Sequence, residues 1–273
     1  MIRIQCDTHS HTIFSRHAFS TIQENVHAAS LARLELLGST DHFSSLVGHE
    51  VDIPRAQGYD LRDFQHFLNY PAWPPSWEGV RVLRACETDI EDLDGHIFGH
   101  TTRVTHAING EKRAASQSLE DMVTKQCDYV LASLHNLDIT RNASVSQVTE
   151  MYMRVLDHPR VLILGHVGRY GVPFDIPALC AYAKEKGKLL EINEATLASY
   201  PRDVCKKLCL CCAETQTMIT TGSDAHISME VGKFPLVHEL LEEIHFPQKL
   251  IASTDAETFI RVLRKAIPES TCS

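Results

Sequence analysis

The stretch "CDTHSHTIFSRHAFS" (residues 6–20) ends a short apolar run near the start of the chain and contains one aspartate and three histidines. On an extended strand, side chains at positions i and i+2 point to the same face, so His9 and His11 point together, with Asp7 on the same side behind them. An H-x-H pair alone is weak evidence for a site, because surface and buried histidines also produce it. The stretch is therefore either a polar, solvated segment or one part of a metal site, and the other strand ends decide between the two.

The same pattern recurs along the chain, where seven apolar runs rich in Leu, Val or Ile end in a histidine or a carboxylate. They are "IRIQCDTHSH", "LELLGSTDH", "VRVLRACETD", "CDYVLASLHN", "RVLILGHVGR", "KLLEINEAT" and "TMITTGSDAH". Continuous apolar strands that alternate with helical segments predict a parallel sheet covered by helices. Functional groups of such folds lie at the C-terminal ends of the strands, where these polar terminations fall. An open sheet also satisfies the pattern, but a closed barrel is favoured because the site needs residues of the first and last runs together.

Two of the connecting segments carry helix signals. In "TIQENVHAASLARLELLG", Thr21 and Glu24 have the spacing of a capping box. The segment "FDIPALCAYAKEKG" closes with Lys184, Lys186 and Gly187, which is typical of a helix C-terminus. Both segments are therefore predicted to be crossover helices.

Four of the nine cysteines lie in "VCKKLCLCCAE", at Cys205, Cys209, Cys211 and Cys212. Thiolates bind zinc, but this spacing is not that of a zinc ribbon. Together with Leu208, three of these cysteines fall at positions i, i+3, i+4 and i+7, the buried stripe of an amphipathic helix. We therefore expect buried, reduced thiols, which fit a cytoplasmic protein.

Composition and charge narrow the classes of function. With 273 residues, of which 44% are hydrophobic, the chain can bury a sizeable core, and no linker or internal repeat divides it, so residues 1–273 are predicted to form one domain. The formal net charge of −9 argues against a broad basic face for nucleic acid. No apolar run has the length of a signal peptide or a membrane span, so a cytoplasmic protein without membrane contact is expected. The oligomeric state stays open.

Two insertions interrupt the strand and helix rhythm, at residues 43–79 and 89–118. Long loops on the functional side of a barrel commonly cover the pocket or shape its specificity. Most residues of both insertions are nevertheless predicted to be surface loop. Trp73 and Trp77 of "PAWPPSW" are expected to pack a proline-rich loop onto the barrel, with stacking on a substrate ring as the alternative.

Residues with ligand chemistry end the other apolar runs as well. His42 ends "STDH", Glu87 ends "RACE", His135 ends "ASLH", His166 ends "LILGH", and Asp224 and His226 repeat the i, i+2 spacing in "GSDAH". In a parallel barrel these ends converge on one mouth, where so many imidazoles and carboxylates are too many to leave unpaired. Imidazole nitrogen and carboxylate oxygen are ligands of Zn²⁺, Mn²⁺ and Fe²⁺, and this set suits two or three ions.

The motifs "DTHSH…H", "TDH", "SLHN", "GH" and "SDAH", with the strand-end glutamate, resemble the PHP superfamily, named for polymerase and histidinol phosphatase domains. The order and spacing match, including the five residues between His11 and His17. The segments "GRYGVPFDIPALCAYAKEKGKLLEIN" and "GSDAH…VGKF…LLEEIHFP" look most like the single-domain, YcdX-like phosphatase branch. The resemblance covers nearly the whole chain.

The resemblance implies an α/β fold, a distorted (β/α)7 TIM-like barrel, with a trinuclear metal site at the C-terminal ends of the strands. Carried over residue by residue, the implied ligands are His9, His11, Glu87 and Asp224 for one ion; Glu87, His135 and His166 for a second; and His17, His42 and His226 for a third. All nine positions keep residues able to bind metal. The chain departs from the family at Cys86, where glycine is usual, and at Phe43, where a small residue is common, and both departures bear on pocket shape.

A metal centre of this kind predicts a metal-dependent phosphoesterase for a small phosphomonoester. Metal-activated hydroxide is the expected nucleophile, with Glu87 and Asp224 as the carboxylates that hold the metals, and Zn, Mn or Fe as the ions. Histidinol-phosphate phosphatase is a specific version of this prediction. Two other classes stay open, a nucleic-acid exonuclease or phosphodiesterase and a non-catalytic metal-binding scaffold, although the charge and the complete ligand set count against them.

Supporting roles are assigned to residues beside the ligands. Arg169 in "GHVGRYG" is the best candidate to bind phosphate, followed by Arg16 and Arg202, although each could be a surface arginine. Asp7 and Asp41 are expected to orient ligand imidazoles rather than bind metal.

Other polar residues near these motifs receive no firm role. Glu191 and Asn193 share one strand face and either line the pocket or make a structural hydrogen bond. The nine histidines outside the set belong to no metal pattern and are interpreted as ordinary polar residues: His27, His49, His66, His96, His100, His106, His158, His238 and His245. Three of them, His96, His100 and His106, lie in one insertion and could approach the mouth.

Overall fold

The computed structural model describes residues 2–48, 50–53 and 56–268, so that His49 lies outside the described residues. Within them the strands are β1 (Cys6–Ser10), β2 (Leu36–Ser39), β3 (His42–Phe43), β4 (Glu50–Ile53), β5 (Ala56–Tyr59), β6 (Ser76–Trp77), β7 (Val80–Asp89), β8 (Arg103–His106), β9 (Lys112–Ser118), β10 (Tyr129–Ser133), β11 (Val161–Leu164), β12 (Leu189–Asn193) and β13 (Ile219–Gly222). The helices are α1 (Ile22–Leu31), α2 (Gln65–Leu68), α3 (Leu119–Thr124), α4 (Val145–Asp157), α5 (Ile176–Lys186), α6 (Glu194–Ser199), α7 (Asp203–Thr215), α8 (Pro235–Glu243) and α9 (Ala256–Ala266). Every one of these helices is too short or too polar to cross a lipid bilayer.

Seven parallel strands form a nearly closed barrel in the order β1-β2-β7-β10-β11-β12-β13. The last strand returns beside the first, where Ser10 bridges Ala225 and the backbone N–H of Asp224 donates to the carbonyl of His9 at 2.9 Å. Each strand comes from one of the seven apolar runs, so the predicted α/β, TIM-like barrel is confirmed. Because all seven strands run the same way, their C-terminal ends share one mouth.

The helix signals of the sequence are confirmed in detail. Thr21 and Glu24 form a reciprocal capping box at the start of α1. α5 ends at Gly187, whose φ of 67° is the left-handed conformation that glycine adopts at low cost. α7 turns Cys205 and Cys209 into the core, where burial raises the pKa of each thiol, so the prediction of buried thiols holds.

The two insertions pair with each other, which corrects the prediction that they are mainly loop. β4 and β5 from the first insertion and β8 and β9 from the second form an antiparallel sheet in the order β4-β5-β8-β9. The pairing of β5 with β8 joins segments far apart in the chain, so neither insertion alone reveals it. Trp73 packs on Tyr70 with ring centroids 4.7 Å apart, which confirms its predicted packing role.

Candidate metal centre

All nine predicted ligand residues lie at the C-terminal mouth of the barrel or beside it. His9 lies in β1, His42 in β3 and Glu87 in β7, while His11 and His17 follow β1, His135 follows β10, His166 follows β11, and Asp224 and His226 follow β13. The barrel therefore brings together side chains that are separated by up to 217 positions in the sequence, from His9 to His226.

Four of them, the inner group, are buried at the centre of the mouth: His9, His11, Glu87 and Asp224. The Nε2 atoms of His9 and His11 are 3.1 Å apart, and each lies 3.4 Å from Glu87 Oε2. Asp224 Oδ1 lies 3.5 Å from His9 Nε2 and 3.2 Å from His11 Nε2. Four donors about 2.1 Å from a tetrahedral zinc ion are about 3.4 Å from one another, so the spacing of the inner group fits a transition-metal ion.

Glu87 also faces a second set of imidazoles, those of His135 and His166. Glu87, His135 and His166 are named here the bridged group. The Oε1 atom of Glu87 lies 2.9 Å from His166 Nε2 and 3.5 Å from His135 Nε2, and it accepts a hydrogen bond from Ser133 Oγ at 2.6 Å. The two carboxylate oxygens of one side chain thus point to different sets of nitrogen donors. This is the arrangement that a bridging carboxylate requires.

His17, His42 and His226 form the outer group. The ring centroid of His17 lies 5.0 Å from that of His42 and 4.6 Å from that of His226. Donor atoms of His11, His42 and His226 lie within 4.8 Å of one another, which brings His11 into contact with the inner and the outer groups. His42 Nδ1 is buried 3.1 Å from Glu87 Oε2, but it is not aligned for a hydrogen bond and has no other partner among the described residues. A buried, unpartnered ring nitrogen fits a metal ligand.

Charges in the inner group stabilise one another. Burial opposes ionisation of His9, but Glu191 and Glu87 raise the pKa of this ring well above its usual value. Burial also favours the neutral forms of Glu87 and Asp224, yet the neighbouring imidazoles, His9 first, hold the pKa of both carboxyl groups well below the usual range. Without a metal, the inner group therefore keeps ionised carboxylates, which are the form that binds a cation.

The outer group has the opposite electrostatics. Burial and the neighbouring His11 lower the pKa of His42 well below its usual value and the pKa of His226 to about 4. Burial and Arg169 likewise lower the pKa of His166 to about 4. These rings are neutral at pH 7, the state in which imidazole binds a metal.

Two carboxylates beneath the mouth hold ligand rings by their Nδ1 atoms. Glu191 Oε1 lies 2.8 Å from His9 Nδ1, and its Oε2 accepts from the backbone N–H of His166 at 2.7 Å. A side chain at Gly222 would place its Cβ 2.3 Å from Glu191 Oε1, so only glycine leaves room for this contact. Glu191, left open between two roles by the sequence, is therefore an orienting residue.

Asp89 holds His135 in the same way, with Oδ1 at 2.7 Å from Nδ1. Burial opposes charging of His135, but Glu87 and Asp89 raise its pKa to about 10. Sequence reasoning missed Asp89. Its position two residues beyond Glu87 on β7, and so on the same strand face, is the signal that could have found it.

Asp7 and Asp41 differ in how they contact the candidate ligand residues. Asp41 Oδ1 accepts from Ser15 Oγ at 2.7 Å, and Ser15 Oγ lies 3.1 Å from His11 Nδ1, so Asp41 acts on the ring through a serine. Asp7 accepts from backbone N–H groups, including those of Ser223 at 3.0 Å and His9 at 3.3 Å. Asp41 therefore supports a candidate ligand ring through Ser15, in line with its predicted role, whereas Asp7 holds backbone of β1 and of the segment after β13 and, among the described contacts, touches no candidate ligand imidazole.

Of the three candidate arginines, the structure places Arg169 against the cluster. Its Nη2 contacts Asp224 Oδ2 at 2.5 Å and donates to Asn193 Oδ1 at 3.0 Å, while its Nε donates to Thr196 Oγ1 at 2.8 Å. Arg16 pairs with Asp63 and Arg202 with Glu239, and both side chains are more than 40% exposed. Within the described contacts neither of these two reaches the cluster.

Two ligand positions have strained backbones. His166 has a φ of 28° and Asp224 a φ of 58°, which non-glycine residues rarely adopt. Hydrogen bonds hold both backbones there, because Glu191 accepts from the His166 N–H and the His9 carbonyl accepts from the Asp224 N–H. Strain that the surroundings enforce is typical of functional sites.

The fold and the cluster define an α/β-barrel protein with imidazole and carboxylate groups able to bind metal at the strand ends. No family model matches the chain. It is 33% identical over 265 residues to a protein named probable phosphatase from Clostridium botulinum, and the alignment covers 96% of each chain. A protein of the same name from Photobacterium profundum is 31% identical over 270 residues, again with 96% of each chain covered. The chain belongs to the family of these probable phosphatases and is a hydrolase of phosphoric ester bonds.

A solved structure shares the fold. Histidinol phosphate phosphatase from Lactococcus lactis, crystallised with zinc, L-histidinol and phosphate, superposes with a TM-score of 0.54 over 89% of this chain and 94% of that one. The sequence identity is 16%, so this likeness concerns the barrel alone.

Proposed function

We propose that this chain is a PHP-superfamily phosphatase of the YcdX-like branch that hydrolyses a small phosphomonoester at three divalent transition-metal ions, Zn, Mn or Fe. The observation that carries the proposal is Glu87, whose Oε2 faces His9 and His11 while its Oε1 faces His166 and His135. A carboxylate shared by two sets of nitrogen donors is expected where adjacent metal ions need a bridge.

Each group would hold one ion. The inner group would bind the first through two imidazoles and two carboxylates, and the bridged group the second through Glu87, His135 and His166. The outer group would bind the third through imidazoles alone. The donor spacings within the inner and bridged groups, 2.9–3.5 Å, support the first two assignments. The unpartnered His42 Nδ1 supports the third.

Ions bound at such a cluster would lower the pKa of water and neutralise charge on a phosphate ester. The chain's own residues would position the phosphate ester and the ligand rings. Arg169 is a cation at the edge of the cluster, as arginine is in proteins generally. Burial opposes the charge, but the Asp224 carboxylate raises the pKa of the guanidinium above its usual value. The Arg169 guanidinium would bind a non-bridging phosphate oxygen, and Asn193 and Thr196 fix the plane of its fork. Glu191, Asp89 and Ser15 hold the tautomers of the ligand rings.

Histidinol-phosphate phosphatase is the second candidate, because the Lactococcus lactis enzyme shows that a barrel of this fold can have that activity. A nucleic-acid exonuclease is a weaker candidate, because the net charge of −9 offers no broad basic surface for a polyanion. Direct assay of histidinol phosphate beside other monoesters distinguishes a histidinol-phosphate phosphatase from a phosphatase for another small phosphomonoester.

A chelator experiment tests the proposal. Purified protein is stripped of metal, then supplied with Zn²⁺, Mn²⁺ or Fe²⁺ and given a panel of phosphomonoesters and phosphodiesters. We expect monoester hydrolysis to disappear with the chelator and return with metal. Single-strand exonuclease activity that exceeds monoester hydrolysis would favour the nuclease instead. A metal-replete protein that hydrolyses no member of the panel would favour the non-catalytic scaffold.

A further inference from the structure

A separate group of histidines and carboxylates lies in the second insertion, beyond the barrel mouth. Asp92, His96 and His100 place one donor atom each within 4.8 Å of one another. The two imidazole rings are stacked, with centroids 4.4 Å apart and planes inclined by 5°. The three residues, named here the loop cluster, fall within nine consecutive positions, so one turn of chain supplies all of them.

The loop cluster is held in shape by the backbone around it. Asp92 Oδ1 accepts hydrogen bonds from the N–H groups of Asp94 at 2.9 Å and His96 at 3.1 Å. The N–H of Glu91 donates to the carbonyl of His96 at 2.8 Å, which closes the turn. Between the two histidines, Ile97 is buried in the core. The turn thus holds the three side chains together, and the stacked rings would rotate about their side-chain torsions for one nitrogen of each to face the same ion.

The chemistry of the loop cluster is that of a transition-metal site. His96 Nδ1 lies 2.8 Å from Asp92 Oδ2, close enough for these two donor atoms to bind one ion, whereas His100 Nδ1 lies 3.1 Å from Glu91 Oε2, which is outside the proposed ligand set. A carboxylate at the Nδ1 of His100 fixes the tautomer of this ring and makes its Nε2 the better ligand. Two imidazoles favour Zn²⁺ and similar ions over Ca²⁺ or Mg²⁺, which prefer oxygen donors.

The loop cluster is also connected to the catalytic mouth. The N–H of Phe98 donates to the carbonyl of Asp89 at 3.0 Å, and the carboxylate of Asp89 holds His135. On the outer side, Asp94 pairs with Arg154 of α4 at 2.6 Å. An ion bound at the loop cluster would restrain the turn that begins at Asp89. It would therefore also restrain the Asp89 carboxylate, which orients His135.

We propose that Asp92, His96 and His100 bind a further divalent transition-metal ion, with Glu91 orienting His100. The site is distinct from the three groups of the barrel mouth and serves to fix the second insertion. His96 is half exposed, so a solvent molecule can complete the coordination.

Zinc counting on the full-length protein tests this. Wild type and His96→Asn/His100→Asn are dialysed to equilibrium against about 1 μM free Zn²⁺, which is far above the dissociation constant of a structural zinc site. The matched control is His27→Asn/His245→Asn, which removes two exposed histidines; His27 also pairs with a carboxylate, Glu78, at 2.8 Å. We expect about one zinc fewer per chain in the first variant and an unchanged count in the control.

Equal zinc contents of His96→Asn/His100→Asn and wild type would overturn the proposal, as would an equal loss in the control. If the double variant fails to fold, as judged by its circular dichroism, Asp92→Asn takes its place. This variant keeps both rings and is also expected to bind about one zinc ion fewer per chain than wild type. Phosphatase assays on the same samples report on the barrel mouth separately. A lost zinc equivalent in protein that hydrolyses no phosphoester would refute the proposed function and leave the loop site standing.

Discussion

The inner and outer groups of the barrel mouth are built from the same imidazole but differ in charge. In the inner group, two carboxylates lie within 3.5 Å of each ring, and the pKa of His9 is raised. In the outer group, the rings mainly face other rings, although His42 Nδ1 lies 3.1 Å from Glu87 Oε2 and His226 Nδ1 lies 3.7 Å from Asp224 Oδ1. The pKa values of His42 and His226 are lowered. Because carboxylates add attraction for a cation, the inner group should hold its ion tightly, and the all-imidazole outer group should lose its ion first.

The largest effect is expected at the inner group. Asp224→Ala removes one of its two carboxylates, so we expect kcat/KM for a phosphomonoester to fall by about 10³-fold or more, equivalent to about 4 kcal/mol of transition-state stabilisation. Metal content, measured by elemental analysis, should fall with it. His27→Ala, at an exposed residue outside the cluster, should change neither quantity. Normal turnover by metal-depleted Asp224→Ala protein would contradict the mechanism.

A smaller effect is expected at the outer group. His226→Ala removes one neutral ring that is 29% exposed, so the inner and bridged groups should keep their ions. We expect about one metal ion fewer per chain and a fall in kcat/KM of about 10²-fold. Loss of the ions of the inner and bridged groups as well would show that these groups do not bind metal independently of the outer group. That result would contradict the predicted difference between the inner and outer groups.

Loss of the carboxylate that orients His9 should have a smaller effect than loss of a residue of the inner group. Glu191→Gln keeps the shape of the side chain but removes the charge that faces His9 Nδ1 at 2.8 Å. We expect the affinity for metal to fall about 10–100-fold, with activity restored by excess metal. Titration of activity with metal measures this affinity. An unchanged affinity would mean that Glu191 has only a structural role in the barrel.

The smallest of these effects is expected at Arg169. Arg169→Lys keeps a positive charge but loses the planar fork that contacts Asn193 and Asp224. We expect KM to rise about 10-fold while metal content stays constant, since a lysine ammonium is not held in place by Asn193 and Thr196 as the guanidinium is. Steady-state kinetics with a phosphomonoester check this, and an unchanged KM would remove Arg169 from substrate binding.

The barrel and its ligand residues could be predicted because both rest on local patterns. Each strand is an apolar run, and eight of the nine candidate ligands lie within four residues of the C-terminal end of a barrel strand, as with Glu87 at the end of "RACE". His17, seven residues beyond β1, is predicted as a ligand only by the family resemblance. Parallel strands then bring those ends together whatever the details of packing. This is why His9 and Asp224 could be placed in one cluster from sequence.

The supporting contacts could not be predicted because they depend on register and side-chain reach. Ser15 links His11 to Asp41 only because a 3-10 turn over Ile13–Ser15 folds the chain back after β1. The contact of Glu191 with His9 depends on two strands on either side of β13 and on the absence of a side chain at Gly222. The sheet of the insertions depends on a pairing between β5 and β8 that no local pattern signals.

The proposed function requires three ions in the barrel mouth, and anomalous diffraction from crystals of the zinc-loaded protein can locate each of them. We predict three anomalous peaks in the mouth, apart from the peak that the loop cluster would add: one among His9, His11, Glu87 and Asp224, one beside Glu87, His135 and His166, and one at the outer histidines. The absence of any peak in the mouth of the fully loaded protein would contradict the metal centre, and one or two peaks would contradict its trinuclear form.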